Sequence, residues 1–410
     1  MAKLALTTNT YAGEEANGFV ASTLLENSSI ERGLLTVHEN VKKRKVILLA
    51  DDQVKLQTPA AAFTDQATTA AIDEKYLDPV AFEFHKQEDY SALVDSWLTT
   101  KQPAGEMGRY VAPEELYAHM IERYQKKLAI AAERLAWLGK ASVQEATFSA
   151  SYTGLLPKLI AGSDVSKTKL TSTVMAFSAI TASSGTVTVS STANLRDGDV
   201  VTITTLGTGT TTETTNDIFG SATSVSILGQ SYIIRVASAT TFVLVRNLNK
   251  AQTNRTTATF TTNNTGGGNI QYVNVSNVAT VLASAYATLD YAAYDDPDFN
   301  LMVPLHIAKA YQTKQGELAT NQLGSLAMEK TLAYNNMKLQ VMPFFSGNVI
   351  LGASKKNLHF GTDLLSDVNK LEIVDTRYTT GDQYIRMRAG MSSDVNYTYG
   401  GEITLFYPAD

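Results

Sequence analysis

The spacing of apolar positions changes period along the chain, and each change marks an element. In "PVAFEFHKQ", Val80, Phe82 and Phe84 alternate with Ala81, Glu83 and His85, the period-two pattern of a half-buried strand. An earlier run, "KKRKVILLADDQVKL" (Lys42 to Leu56), is β-branched and leucine-rich and is entered through four basic residues. The stretch between the two runs, which includes "TPAAAFTDQATTAA", is too long for a tight hairpin. The pair reads as an extended two-stranded loop with an irregular tip.

The period then becomes helical. In "APEELYAHMIERYQKKLAIAAERLAWLGK", Leu116, Met120, Tyr124, Leu128, Ala131, Leu135 and Leu138 form one stripe. Pro113 suits the first turn, Glu114 and Glu115 sit where the helix dipole favours anions, and Gly139 with Lys140 supplies a stop. About 27 residues at a rise of 1.5 Å span roughly 40 Å, long for a globular helix. It reads as a strut.

From Thr168 to Ile270 the pattern is β again. "GTVTVSS", "DVVTIT", "SVSILG", "SYIIRV" and "TFVLVRN" are short β-rich runs parted by Gly, Asn, Asp and Ser. Threonine fills 26 of these 103 residues and only 10 are charged, a composition that suggests a linker. Five clusters of aliphatic β-branched residues argue against one, since a disordered linker has few. The segment reads as an inserted all-β sandwich or barrel with "GTGTTTETTN" as an exposed loop. Beyond it, Val278, Val281, Leu282, Ala285 and Leu289 share a helical face. "DDPDF" turns the chain into a strand, "NLMVPL", and a second helix, "HIAKAYQTKQGEL". Six strands close the chain: "KLQVMPF", "NVILGA", "NLHFGTD", "KLEIVDTRY", "QYIRMRAG" and "EITLFYP". The fold class is α+β, and no internal repeat interrupts it.

Composition narrows the chemistry. A chain of 410 residues with 44% hydrophobic and 18% charged residues is a folded globular protein of roughly two to three domains. Its net charge of −6 argues against a dedicated nucleic-acid binder. With no cysteine, disulfides, thiolate catalysis and cysteine-ligated metals are excluded. The first residues hold no apolar run of signal-peptide length, and no apolar stretch is long enough to span a membrane, so the chain reads as soluble and made in a cytoplasm.

No catalytic motif survives inspection. His38, His85, His119, His306 and His359 show no ligand spacing, and each reads as structural or solvated. The chain lacks GxSxG and GxxxxGK[ST], and "GTGTTT" lacks the third glycine and the following helix of a dinucleotide loop. Asp295 to Asn300, "DDPDFN", could offer oxygen ligands to a cation, but Asp and Pro are also what a helix-to-strand turn requires. The aromatics near the end (Tyr378, Tyr384, Tyr397, Tyr399, Phe406 and Tyr407) lie in strands and read as packing. No catalytic residue, cofactor or metal ligand is assigned, and the chain reads as a non-enzyme.

An arm, a long loop, a strut and no reactive site describe a structural part. A two-stranded loop cannot bury its own Val, Ile, Leu and Phe side chains, and exposed strands of that kind need a cover. Another copy of the same chain is the economical cover. Lys42, Lys43, Arg44, Lys45, Val80, Phe82 and Phe84 are therefore the candidate inter-subunit contacts.

The order of elements, and above all "NNMKLQVMPFFSGNVILGASKKNLHFGTDLLSDVNKLEIVD" with "YIRMRAGMSSDVNYTYGGEITLFYP", resembles the major capsid proteins of tailed bacteriophages, the Hong Kong 97 capsid fold. The resemblance covers residues 1–165 and 275–410. It implies an N-terminal arm (1–41), an extended loop region (42–107), a peripheral domain with a spine helix (108–167), the inserted all-β domain (168–272), an axial domain (273–370) and return strands to the peripheral domain (371–410). It further implies pentamers and hexamers of the chain in an icosahedral shell around packaged double-stranded DNA. Made in a bacterial cytoplasm, the chain would reside in the virion. A separate scaffold protein, a portal and decoration proteins would be its partners, DNA contact would be non-specific, and no membrane would be involved. An encapsulin-like nanocompartment shell is a second reading, and a β-rich adhesin or glycan-binding protein a third, of another class.

Overall fold

The computed structural model describes residues 10–11, 28–51, 71–90, 113–139, 152–170, 174–207, 212–213, 225–226, 231–245 and, with short gaps, 257–289, 296–321, 332–363, 371–376 and 383–408. The chain divides into two compact units. One comprises Met1–Lys158 with Leu358–Thr398, the other Leu159–Asn357 with Tyr399–Asp410.

The first unit is organised by one 14-residue strand, Tyr384–Tyr397. Leu371–Asp375 pairs with its first half and Leu358–Thr362 with its last residues, both antiparallel. Val80–Asp89 runs along Tyr384–Ser393, so that Phe84 faces Ala389 and Phe82 faces Met391. Thr10–Tyr11 and Thr36–His38 complete the sheet. The helix Pro113–Leu138 is 26 residues long. Met120, Tyr124, Leu128 and Leu135 of its predicted stripe are buried, and Ala132, Ala136 and Trp137 are buried beside them. The glycine that follows its last residue, Gly139, has a steric cause. A Cβ there would stand 2.6 Å from the Leu135 carbonyl oxygen and 2.8 Å from that of Tyr152, too close for any other residue.

The helix also holds the arm. Glu133, buried, accepts from the Ser29 backbone N–H at 3.0 Å and from the Ser29 hydroxyl, and Trp137 Nε1 donates to that hydroxyl at 2.9 Å. A buried carboxylate without donors would be costly, so this pairing fixes where the short helix Ser28–Glu31 sits.

The second unit contains a mixed six-stranded sheet in the order Ala333–Tyr334, Met337–Met342, Phe299–Pro304, Ile350–Ser354, Thr404–Pro408, Ser166–Leu170. The helices Val278–Ala287 and Leu305–Asn321 supply Val278, Val281, Leu282, Ala285 and Ile307 to its core, against Leu301, Val303, Ile350 and Phe406.

Inserted in this unit is a closed six-stranded barrel. Its strands are β1 (Val174–Thr181), β2 (Thr186–Val189), β3 (Val200–Leu206), β4 (Ser231–Val236), β5 (Thr241–Val245) and β6 (Gly268–Tyr272), and the ring runs β4-β5-β2-β1-β6-β3. Alternation fills it: Val187 and Val189, Val201 and Ile203, Tyr232 and Ile234, Phe242 and Leu244 all point into one core with Phe177, Ile180 and Ile270. Threonine takes many of the alternate positions, where a β-branched side chain suits the strand; Thr202 and Thr204 are themselves buried, with their hydroxyls on Ser231 Oγ at 2.9 Å and the Asn269 carbonyl at 3.2 Å. The β1–β2 turn needs Gly185, at φ 59°, because that conformation favours glycine and a Cβ would collide with the Ala258 carbonyl oxygen. "RDGD" is a built corner: Asp197 Oδ1 accepts from Val236 N at 2.6 Å, and Asp199 Oδ2 accepts from Arg196 N at 2.9 Å and Asn274 Nδ2 at 3.0 Å.

Several expectations change. The strand after the basic run pairs with Ala71–Leu77, "AIDEKYL", and not with Val80–Asp89, which belongs to the main sheet instead. "AIDEKYL" has too many charges to announce itself as a strand. Ser166–Leu170 pairs with Thr404–Pro408, so the barrel strands begin at Val174 rather than at Thr168. Leu358–Thr362 lies in the first unit and the last strand, Thr404–Pro408, in the second, because each follows its hydrogen-bonded partner. Val225–Ser226 of "SVSILG" pairs with Thr212–Glu213 outside the barrel, whose ring is completed by β1 and β6. Most of "GTGTTTETTN", like "TPAAAFTDQATTAA", lies outside the described residues.

Candidate assembly interface

Lys45–Asp51 and Ala71–Leu77 form an isolated two-stranded ribbon. Its register sets Val46 opposite Tyr76, Leu48 opposite Glu74, Lys45 opposite Leu77 and Ile47 opposite Lys75. Paired residues share a face, so the ribbon has two different sides.

One side is tied to its own unit. Leu77 is fully buried over Gly361, where a Cβ would stand 3.2 Å from it. Lys75 Nζ donates to the Thr398 carbonyl at 2.7 Å and lies 3.6 Å from the centre of the Tyr397 ring. At the ribbon's foot, Asp394 Oδ2 accepts from Asp78 N at 2.9 Å while its Oδ1 pairs with Lys158 at 2.9 Å. Asp394 is buried, and these partners offset the cost of taking a carboxylate out of water. Beside it, Tyr152 is buried with its hydroxyl 2.9 Å from Ser393 Oγ, and burial pushes its phenol above the usual range.

The other side is open. Leu48 is 65% exposed, and Val46 and Tyr76 are exposed beside it; the one charge described on this face, Glu74, accepts from the Tyr76 hydroxyl at 2.6 Å and leaves the rest apolar. A two-stranded ribbon is marginal in water, and one with an apolar outer face exposes surface that folding within the chain does not cover.

The candidate contact residues divide. Lys42 and Lys43 are exposed. Arg44 lies 3.3 Å from Asp78 and 4.8 Å from the centre of the Tyr76 ring, extending the apolar face with a cation over an aromatic. Lys45 Nζ reaches His38 Nδ1 at 2.9 Å. Val80 is exposed, whereas Phe82 and Phe84 meet rings of their own chain, Tyr152 at 6.5 Å and Tyr124 at 5.6 Å. On the opposite face of that strand, Arg388 grips Glu83 with 2.8 and 3.0 Å contacts, which hold the Glu83 carboxyl below the ordinary range.

Val46, Leu48 and Tyr76 were missed as candidates. Val46 and Leu48 sit in a run without alternation, and Tyr76 in a charged one, so only the register reveals their common face. Sequence spacing likewise hid the meeting of His38 and His359, whose Nε2 and Nδ1 are 2.9 Å apart. Asp296 closes a turn: its Oδ1 accepts from Asp298 N at 2.9 Å and its Oδ2 from Ser354 Oγ at 2.7 Å. Burial alone would raise its pKa, but these bonds and nearby Lys356 hold it below the usual value. Among the described residues no group of three His, Asp or Glu side chains could hold a metal ion, and no helix is long and apolar enough to cross a membrane.

No protein-family model and no curated protein sequence matches the chain. Solved structures to which it is similar include phage capsids and capsid-like particles. They include the satellite phage P4 procapsid (TM-score 0.42, 11% identity, 95% of this chain and 98% of that one) and the cyanophage A-1(L) capsid (TM-score 0.44, 11% identity, 100% and 96%). A virus-like particle from Pyrococcus furiosus is similar at TM-score 0.40 and 7% identity over 96% and 98%.

Proposed function

We propose that this chain is a major capsid protein, the repeating subunit of a closed icosahedral shell around the packaged double-stranded DNA of a tailed phage. The observation that carries the reading is the ribbon, tied down on one side and apolar on the other. A second copy of the chain is its cover. The ribbon's root is basic, with Lys42, Lys43, Arg44 and Lys45 all exposed, while the chain as a whole carries −6, so copies attract one another there. Contacts of one patch with a different patch on the next copy generate rings and shells. In the capsid reading the ribbon is the extended loop, Pro113–Leu138 the spine helix, the first unit's sheet the peripheral domain, and the second unit's sheet with its two helices the axial domain. Scaffold, portal and decoration proteins are its expected partners.

Electron microscopy of the purified full-length chain, alone and co-expressed with neighbouring open reading frames, tests the proposal. Capsomers or closed particles are expected, and Leu48→Asp should abolish them while leaving a folded subunit. Strictly monomeric protein under every condition would sink the shell reading. Particles loaded with protein rather than nucleic acid, by their absorbance ratio, would replace the phage head with a nanocompartment.

A further inference from the structure

Three side chains from three separate strands meet at the root of the ribbon. Lys45 opens the ribbon, His38 ends Thr36–His38, and His359 lies in Leu358–Thr362. Lys45 Nζ stands 2.9 Å from His38 Nδ1, and His38 Nε2 stands 2.9 Å from His359 Nδ1. An ammonium group can only donate, which fixes every proton in the row. His38 Nδ1 must accept, so its proton is on Nε2 and is donated to His359 Nδ1. The proton of His359 is then on Nε2, a buried atom with no hydrogen-bond partner among the described residues.

We infer that Lys45, His38 and His359 form an acid-released latch that joins the ribbon to the main sheet. The row exists only while both imidazoles are neutral. A further proton on His38 goes to Nδ1 and confronts the Lys45 ammonium with a donor and a like charge. A further proton on His359 goes to its Nδ1 and confronts His38 Nε2–H in the same way. Either event breaks a link and adds positive charge beside Lys45, and the ribbon is the least supported of the three elements, its two strands pairing only with each other among the described residues.

The surrounding charges do not compensate. Arg44 is paired with Asp78, Asp394 with Lys158, and Lys75 reaches the Thr398 carbonyl. Glu39 follows His38 in the chain and is exposed, and Asp363 lies beyond the end of the His359 strand. The charged influences on the pair are Lys45 and, for His359, His38. Burial first, and then these charges, hold His38 below the ordinary histidine value and His359 at about 4. The latch is therefore closed at neutral pH and opens as pH falls from about 6.5 towards 4.

Hydrogen exchange on the full-length chain, corrected for the intrinsic pH dependence of the chemistry, reads the latch directly and does not depend on the shell reading. Between pH 7.5 and 4.5, amides of residues 45–51 and 71–77 should exchange about tenfold faster while those of 384–397 change less than about twofold. His38→Gln keeps an acceptor for Lys45 and a donor for His359 and leaves only His359, held at about 4, to titrate, so its ribbon should loosen markedly less than the native one at pH 4.5. A ribbon that loosens no more than the 384–397 strand, or a His38→Gln chain that responds as the native one does, overturns the latch. Should His38→Gln fail to fold, Lys45→Met decides. Its ribbon should exchange fast at pH 7.5 with no further rise on acidification, and native-like protection at pH 7.5 would overturn the proposal.

Discussion

The barrel and the ribbon both contain aliphatic β-strands that need a cover, and they end in opposite conditions. Each has a strand rich in aliphatic β-formers, Val200–Leu206 in the barrel and Lys45–Asp51 in the ribbon, although the ribbon's second strand, Ala71–Leu77, is largely charged. In the barrel, Val201, Ile203, Phe242 and Leu244 turn inwards and are sealed by six strands that close on themselves. In the ribbon, two strands cannot close, and Val46, Leu48 and Tyr76 stay outside. For the apolar side chains Val46, Leu48 and Tyr76, the number of strands decides the difference: two strands leave them no interior to enter. A closed sheet satisfies its own apolar face and edges, whereas an open pair exports both to a partner. The two regions are also rooted alike, each by a histidine held neutral. The barrel's root is His306, whose Nε2 donates to Asn348 Oδ1 at 2.9 Å, while Asn348 Nδ2 donates to the Gln271 carbonyl of β6 at 3.0 Å.

The comparison breaks most readily at its apolar positions. Phe242→Ala should cost the barrel about 3–5 kcal/mol in denaturant unfolding, the usual loss for a buried aromatic. Leu48→Ala in the unassembled chain should fall within about 0.5 kcal/mol of the native value. Comparable losses at both sites would mean that the ribbon face is covered within its own chain. The next effect is acid sensitivity at the barrel root. Full burial lowers His306 to about 4, below the ordinary histidine value of 6.5. Because the folded value is depressed, the associated stability is present above pH 6.5 and is lost as pH falls towards 4, on the order of 3 kcal/mol. Unfolding measured from pH 7.5 to 4 should show that slope in the native chain and a flatter one in His306→Gln. The smallest effect belongs to Arg388 and Glu83, whose pair is exposed on the main sheet. Arg388→Gln should leave thermal stability unchanged within measurement, since such pairs contribute little in water.

Much of this was legible in the chain. Met120, Tyr124, Leu128 and Leu135 announced the long helix because helical spacing repeats over seven turns and tolerates a few errors. Val187, Val201, Ile234 and Leu244 announced the barrel strands, since alternation is local. Other elements were hidden for identifiable reasons. "AIDEKYL" reads as polar because the ribbon buries Leu77 alone among its described side chains. The second half of the long strand, Met391 to Tyr397, lies beyond the run "QYIRMRAG" because polar Ser392, Ser393 and Asp394 break its pattern, yet all three are buried. Lys158 and Tyr152, far off in sequence, supply the partners that make Asp394 and Ser393 admissible there.

The sequence by itself determined the local elements: one long helix, an inserted β segment of low charge, and a chain without cysteine or catalytic spacing. These follow from periodicity and composition, which act over a few residues. The tertiary structure alone decided which strands pair, which apolar face stays open, and that His38 and His359, 321 residues apart, share a hydrogen bond. Those outcomes depend on register between distant strands, and a one-residue change of register would turn every side chain to the other face.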